Sequence, residues 1–316
     1  MDIQLSIIFA LLLVSSLCLD TYMHRKDKEI TLLSAGCWSV FWIGIALAFA
    51  GYLMVFESTH LAELFLTGYV LEKALSVDNL FVMMAIFTWF DIPGKYRHRI
   101  LYWGVLGAIF FRGIFVYLGT SLLAFGPWVE IFFAVVVIYT AFLMLRTPDD
   151  EQIEDYSEHI AYRCVKKLFP VIPTIGSNKF FVKAVTAGGR NKWHATPLLL
   201  CLAVIEFSDV VFAFDSVPAV IAVSQDPLII YSAMMFAILG LRSLYFVLAA
   251  LKDYLVHLEA AVVAILFYIG IKLCVNAFDK LFDTGIHITP TVSLLVVFIV
   301  LSAGILASLS KPKIAE

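Results

Sequence analysis

Nine apolar runs, each about the length that crosses a bilayer, follow one another along this chain of 316 residues. A transmembrane helix needs about 20 apolar residues. The bilayer core admits only helices and closed barrels, because backbone groups there find no water to bind. We therefore predict an all-α fold, a polytopic bundle of transmembrane helices. The runs are approximately 3–22, 32–52, 61–90, 99–122, 127–146, 196–223, 228–250, 256–276 and 289–309.

The composition supports a membrane protein rather than a soluble enzyme. Hydrophobic residues make up 62% of the chain and charged residues 15%, and the mean hydropathy is +0.94, which is typical of polytopic membrane proteins. The net charge of -3 offers no basic face to nucleic acid. We expect the lipid bilayer as a partner and no nucleic acid, and the sequence leaves the oligomeric state open.

Lysine and arginine residues between the runs predict the orientation, because they collect in cytoplasmic loops. They follow the first, third, fifth and seventh runs and end the chain, whereas the loop after the eighth run holds only Lys280. Nine spans with the N-terminus outside and the C-terminus in the cytoplasm fit this pattern. We expect the chain in the inner, cytoplasmic membrane of the cell.

Two of the apolar runs carry several charged residues, which are costly at bilayer depth and mark functional candidates there. The third run contains Glu72 and Asp78, and the sixth contains Asp209 and Asp215. Both pairs are six residues apart, so an alignment of Asp78 with Asp215 also places Glu72 on Asp209. The interior of the run after each charged segment carries one arginine, Arg112 in the first case and Arg242 in the second.

The predicted topology makes these two charged segments cross the membrane in opposite directions. An offset of three helices is odd, so runs two to four and runs five to seven form an inverted three-plus-three repeat, with units at about 32–122 and 127–250. Inverted repeats that meet near the membrane midplane are typical of secondary transporters. We predict a single transmembrane transporter domain over residues 1–316.

The one sizeable polar segment is a cytoplasmic loop at about residues 147–195. It is long enough for a short amphipathic helix and a loop, but not for a nucleotide-binding domain. The chain has no Walker-type phosphate motif and no His-Glu-x-x-His or Gly-x-Ser-x-Gly motif, so ATP-driven pumping and protease chemistry are not indicated. We expect that the chain is not an enzyme and has no resident cofactor.

The spacing of the acids predicts broken helices. Residues six positions apart lie about 120° apart on an unbroken helix and would face different directions. We therefore predict one break near Asp78 and another near Asp215. Pro218 favours the second break, because it cannot donate a hydrogen bond to the carbonyl of Phe214. Carbonyls freed at such breaks are themselves cation ligands.

The side chains of the two segments predict a site for a hard divalent cation. Carboxylate, amide and carbonyl oxygens favour Mn²⁺, Mg²⁺ and Ca²⁺ over softer metals. All 7 histidines fall in loops or at the ends of the runs, so a zinc or copper site is not indicated. The predicted metal ligands are Glu72, Asp78, Asn79, Glu206, Asp209, Asp215 and Ser216.

Four cations within the runs balance the charge of these acids: Lys73, Arg112, Arg242 and Lys272. They leave a second interpretation open, in which the acids form structural ion pairs and bind no metal. Five acids against four cations leave an excess of negative charge, which suits a bound cation.

Several stretches of the sequence resemble the TerC family of integral membrane proteins, which includes Alx-like manganese exporters. They are Thr67–Asn79 (TGYVLEKALSVDN), Lys179–Lys183, Ala195–Pro197, Ile205–Ala219 and Gly240–Tyr245. Phe214 departs from the family, whose members often carry a smaller aliphatic residue there. The departure casts no doubt on the neighbouring acids.

The resemblance implies a role in manganese export, with the predicted acids matching the transmembrane acids of the family. We expect a secondary transporter that exports divalent cations, with Mn²⁺ as the expected substrate, driven by proton exchange or by the membrane potential. The alternative is a non-transporting membrane partner in metal or tellurite stress resistance or in membrane-protein assembly.

Overall fold

The computed structural model describes residues 3–23, 31–146, 156–172, 178–185, 191–251, 257–285 and 288–310. These residues are mostly helical, as the sequence predicts. The helices are α1 (Ile3–Met23), α2 (Leu32–Tyr52), α3 (Thr59–Trp89), α4 (Gly94–Leu123), α5 (Pro127–Arg146), α6 (Ile160–Leu168), α7 (Pro197–Val223), α8 (Pro227–Ile238), α9 (Leu241–Leu251), α10 (Leu258–Phe282) and α11 (Pro290–Ser310). The strands are β1 (Phe181–Val185) and β2 (Asn191–Ala195).

A helix lies at each of the nine predicted positions, and the seventh is divided into α8 and α9. Within the described residues, 6 helices are long and apolar enough to cross a membrane: α2 with its π-helical extension to Glu57, α4, α5, α7, α10 and α11. If the bent pair of α8 and α9 counts as one span, the number of candidate spans rises to 7. The long helix α3 carries the charged segment, and α1 is apolar over its described side chains, Leu5–Leu19. The fold class is confirmed, and the count of nine spans stays a prediction.

The two predicted helix breaks are wrong. Helix α3 is continuous past Asp78, and α7 is continuous past Asp215 with Pro218 inside it. Pro218 removes a single backbone donor, and the neighbouring backbone groups still gain most by bonding within the helix, because lipid offers them no other partner. Between Glu72 and Asp78 the chain has neither proline nor glycine to favour a break.

The break in this part of the bundle lies instead between α8 and α9, whose axes differ by 51°. Gly240 lies at the break with φ of 84°, in the left-handed region that favours glycine,. A Cβ at Gly240 would also come within 2.7 Å of the Trp42 side chain on α2. Both the backbone conformation and the contact with α2 therefore require glycine here.

Helices α3, α4, α7 and α8 form the centre of the bundle. α3 packs extensively on α8, and α4 packs extensively on α7, while α3 also contacts α7 and α4 contacts α8. In the predicted repeat, α3 corresponds to α7 and α4 corresponds to α8. The contact between α3 and α8 then corresponds to the contact between α7 and α4. This packing is compatible with the three-plus-three repeat, which stays a prediction. Around the centre, α5 packs on α10, α2 on α9 and α11 on α3.

The polar segment between α5 and α7 contains the predicted short helix, α6, and a hairpin that the sequence analysis did not predict. Strands β1 and β2 pair antiparallel, with Phe181 opposite Ala195. The hydroxyl of Thr196 donates to the carbonyl of Lys179 at 2.9 Å, and its amide donates to the carbonyl of Phe180 at 3.0 Å. These bonds tie the hairpin to the start of α7.

Candidate functional site

Arg112 of α4 joins two buried carboxylates from α3 and α7. Its Nη2 lies 3.0 Å from Asp209 Oδ1 and its Nε lies 3.5 Å from Oδ2, and its Nη1 forms an ion pair with Glu72 Oε1. The exposed fractions of Arg112, Glu72 and Asp209 are 0%, 0% and 3%. We call these three residues the central triad. Glu72 and Asp209 hold equivalent positions when the two charged segments of the chain are aligned with each other. The structure places both of them against Arg112, the arginine predicted to balance their charge.

Because the central triad is buried, its charges must be compensated within the protein. A charge removed from water is costly unless a partner of opposite sign and further hydrogen bonds compensate it. The Ser76 hydroxyl, one turn along α3, donates to Glu72 Oε1 at 3.5 Å. Arg112 therefore provides most of the compensation for both carboxylates in this state.

Glu206 lies one turn before Asp209 on α7, beside the central triad. Its carboxylate packs against Gly107 of α4, where a Cβ would overlap it. The Oε2 atom is buried and has no hydrogen-bond partner among the described residues. This third carboxylate therefore has an oxygen available for a cation. A glycine inside an apolar run is the signal that could have predicted the close contact, because small residues let helices approach in membranes.

Lys73 follows Glu72 on α3 but points to a different partner. Its ammonium donates a 2.9 Å hydrogen bond to the carbonyl of Ala237, in the last turn of α8. The carbonyls of a last turn lack amide partners within their own helix. Lys73 thus binds a carbonyl at the break between α8 and α9. The sequence predicts Lys73 as a balancing charge, but no local pattern indicates the Ala237 carbonyl as its acceptor.

Arg242, the predicted counterpart of Arg112, lies in the first turn of α9 and is 3% exposed. Its guanidinium lies 5.9 Å from the ring centre of Tyr102 on α4. Such a contact between a cation and an aromatic ring stabilises a buried charge. Arg242 therefore lies next to α4, the helix that carries Arg112.

The remaining predicted residues lie on the same helices but outside the central triad. Asp78 is half-buried, and its carboxylate has no hydrogen bond or ion pair among the described residues. Asn79 and Ser216 are buried, as is Lys272 on α10. The side chain of Asp215 lies outside the described residues.

The described side chains contain no group of three or more His, Cys, Asp or Glu residues close enough to hold a metal ion. The central triad brings together two of the predicted acids, and Glu206 lies beside them on α7. The predicted ligand set as a whole stays a prediction.

One buried acid was missed by the sequence analysis. Glu130, in the first turn of α5, is 4% exposed. It pairs with Lys280 of α10 and accepts a 3.0 Å hydrogen bond from Gln225. This paired acid joins α5 to α10 and to the α7–α8 connection, which fits a structural role.

Comparison with known proteins decides the family of this chain. Residues 56–314 match the family described as "Integral membrane protein TerC family". The chain belongs to the TerC family. All residues of the candidate site fall within the matched part. No solved structure matches the chain.

Relatives of the TerC family match over most of the chain. It is 56% identical to "Tellurium resistance protein TerC" of Serratia marcescens, over 97% of this chain and 93% of the relative. It is 35% identical to "Putative membrane-bound redox modulator Alx" of Escherichia coli K12, over 92% of this chain and 89% of the relative. It is 39% identical to "Thylakoid membrane protein TERC, chloroplastic" of Arabidopsis thaliana, over 85% of this chain and 66% of the relative. These matches support a multi-pass integral membrane protein.

Proposed function

We propose that this TerC-family chain is a secondary transporter that exports divalent cations from the cytoplasm, with Mn²⁺ as its substrate. The observation that carries the proposal is the contact of Glu72 on α3 and Asp209 on α7 with one arginine, Arg112 of α4. These carboxylates occupy equivalent positions in the two predicted repeat units. Secondary transporters hold their substrate where such units meet.

In this proposal, Arg112 is the positive charge that the site holds when no metal is bound. Removal of its guanidinium would leave two carboxylates buried and unpaired, which is strongly unfavourable. A divalent cation offers the same compensation with stronger charge. It binds when Arg112 releases at least one of the two carboxylates, so cation and guanidinium compete for the same oxygens.

Further carboxylate oxygens on α3 and α7 suit a hard cation. Glu206 provides a carboxylate oxygen that has no hydrogen-bond partner among the described residues. Asp78 is a half-buried acid without a partner in the described part of the chain. Carboxylate oxygens favour Mn²⁺, Mg²⁺ and Ca²⁺. The names of the relatives refer to tellurium resistance and to redox modulation.

A second function is favoured by the pairing of the central triad itself. Arg112 already pairs with both Glu72 and Asp209 in the described state, as in structural ion pairs. In this alternative the chain is a non-transporting membrane partner in metal or tellurite stress resistance or in membrane-protein assembly. It would then stabilise other membrane proteins and carry no ion.

Flux through the purified protein distinguishes the two functions. The full chain is reconstituted in liposomes that contain a dye quenched by Mn²⁺, and quenching is followed after external Mn²⁺ is added. The transporter proposal predicts saturable quenching that Asp78→Asn abolishes. Asp283→Asn is the matched control, since Asp283 is exposed with φ of 51°, a conformation that asparagine tolerates. Quenching no faster than in empty liposomes would favour the non-transporting function.

A further inference from the structure

A basic and aromatic groove lies outside the helical bundle, where the β1–β2 hairpin meets the start of α4. Its volume is about 660 Å³. The residues that line it are Arg99, Lys179, Phe180, Phe181, Val182, Lys183 and Trp193. We call it the hairpin groove. None of these residues belongs to the central triad or to the predicted cation ligands.

The groove presents positive charge next to aromatic rings. The guanidinium of Arg99 donates to the carbonyl of Asn178 and lies 5.0 Å from the ring centre of Phe180. The ammonium of Lys183 lies 5.0 Å from the ring centre of Trp193. Three of the lining residues are cations and none is an acid, so the groove favours an anionic ligand.

The groove also adjoins the ends of two candidate membrane spans. Strand β2 ends at Ala195, and α7, which is apolar and long enough to span the bilayer, begins at Pro197. Arg99 lies in the second turn of α4, another candidate span. A ligand in the groove is therefore at the depth of lipid headgroups.

Apolar side chains around the groove are exposed, as expected for a surface that contacts lipid. The exposed fraction of Trp193 is 56% and that of Leu168, at the end of α6, is 73%. Phe169 follows Leu168 and packs on Phe181 of β1, with 5.1 Å between ring centres. Tryptophan is enriched at the membrane interface because its ring is amphipathic.

We propose that the hairpin groove binds the phosphate headgroup of an anionic phospholipid. Lysine and arginine near a membrane surface attract anionic lipids, and the exposed aromatic and aliphatic side chains contact the adjoining acyl region. A soluble phosphate would use the same cations but would gain nothing from Trp193 and Leu168. The proposal is independent of cation transport.

Retention of lipid by the purified full chain tests the proposal. The protein is incubated in detergent with equal amounts of phosphatidylglycerol and phosphatidylcholine, and bound lipid is counted by native mass spectrometry. Wild type should retain phosphatidylglycerol in preference. Lys179→Gln with Lys183→Gln should lower that retention by about thirtyfold. The matched control, Lys166→Gln with Lys167→Gln, changes two exposed lysines of α6 outside the groove and should retain the wild-type preference.

Three results would overturn the proposal. The first is equal retention of the two lipids by wild type, and the second is an equal loss in the control variant. The third is displacement of phosphatidylglycerol by millimolar inorganic phosphate, which would assign the groove to a soluble anion. Unfolding temperatures are measured for both variants, and the single variant Lys183→Gln, with an intermediate loss expected, replaces the double variant if the latter is unfolded.

Discussion

The ammonium of Lys73 on α3 donates a 2.9 Å hydrogen bond to the carbonyl oxygen of Ala237 at the end of α8. This contact places a cation next to the single break found between α8 and α9 in the described part of the bundle. The preceding residue, Glu72, belongs to the central triad. Two neighbouring residues of α3 thus connect the carboxylate site to the bent helix pair.

Replacement of Lys73 tests the importance of this contact. Lys73→Met keeps an unbranched side chain, one atom shorter, and removes the donor. We expect the free energy of unfolding to fall by about 1.5–3 kcal/mol, the usual contribution of a hydrogen bond to a charged group. Chemical unfolding in detergent measures this change. Lys167→Met, at an exposed position of α6, is the control, and an equal loss in both variants would contradict a specific role for the Ala237 carbonyl.

The central triad predicts a strong dependence of stability on the charge balance around Arg112. Arg112→Met leaves Glu72 and Asp209 buried without a cation, so we expect a loss of about 3–5 kcal/mol in the free energy of unfolding. A triple variant with Glu72→Gln and Asp209→Asn removes the unpaired charges and should recover most of that loss. The unfolding midpoints of wild type, Arg112→Met and the triple variant in detergent measure this loss and its recovery. A triple variant no more stable than Arg112→Met would show that packing, rather than charge, explains the loss.

The close contact between Gly107 and Glu206 predicts a functional effect of one added methyl group. Gly107→Ala introduces a Cβ that overlaps the Glu206 carboxylate, so the carboxylate must move and Mn²⁺ flux in liposomes should fall at least several-fold. Glu206→Asp, combined with Gly107→Ala, shortens the side chain and should restore part of the flux. Gly36→Ala, where no atom lies within 4 Å of the added Cβ, should leave flux unchanged. If Gly36→Ala and Gly107→Ala reduce flux alike, the contact has no special role.

The sequence predicted the helices and the central triad well, for a physical reason. Charges at bilayer depth are so costly that each one marks a position facing the protein interior. The two charged segments could then be aligned with each other, because both pairs of acids have the same spacing. Glu72 and Asp78 are six residues apart, as are Asp209 and Asp215. Arg112 was the one arginine in the interior of the run that followed the first segment, and the structure places it between Glu72 and Asp209.

Other features could not be predicted because they depend on tertiary contacts. Proline indicated a break at Pro218, but the membrane environment favours an intact α7, while Gly240 gave the break through its left-handed backbone and its contact with Trp42. The Lys73–Ala237 bond joins residues 164 positions apart and has no local signature. The hairpin was missed because its strands are only five residues long.

The central claim is that acids from the two repeat units bind the same cation. Electron paramagnetic resonance of Mn²⁺ with the purified protein measures the number of bound ions and their affinity. The account predicts one ion per chain, and a loss of affinity of at least tenfold in either Asp78→Asn on α3 or Glu206→Gln on α7 alone, with Asp283→Asn unchanged. Wild-type affinity in both single variants would contradict the account.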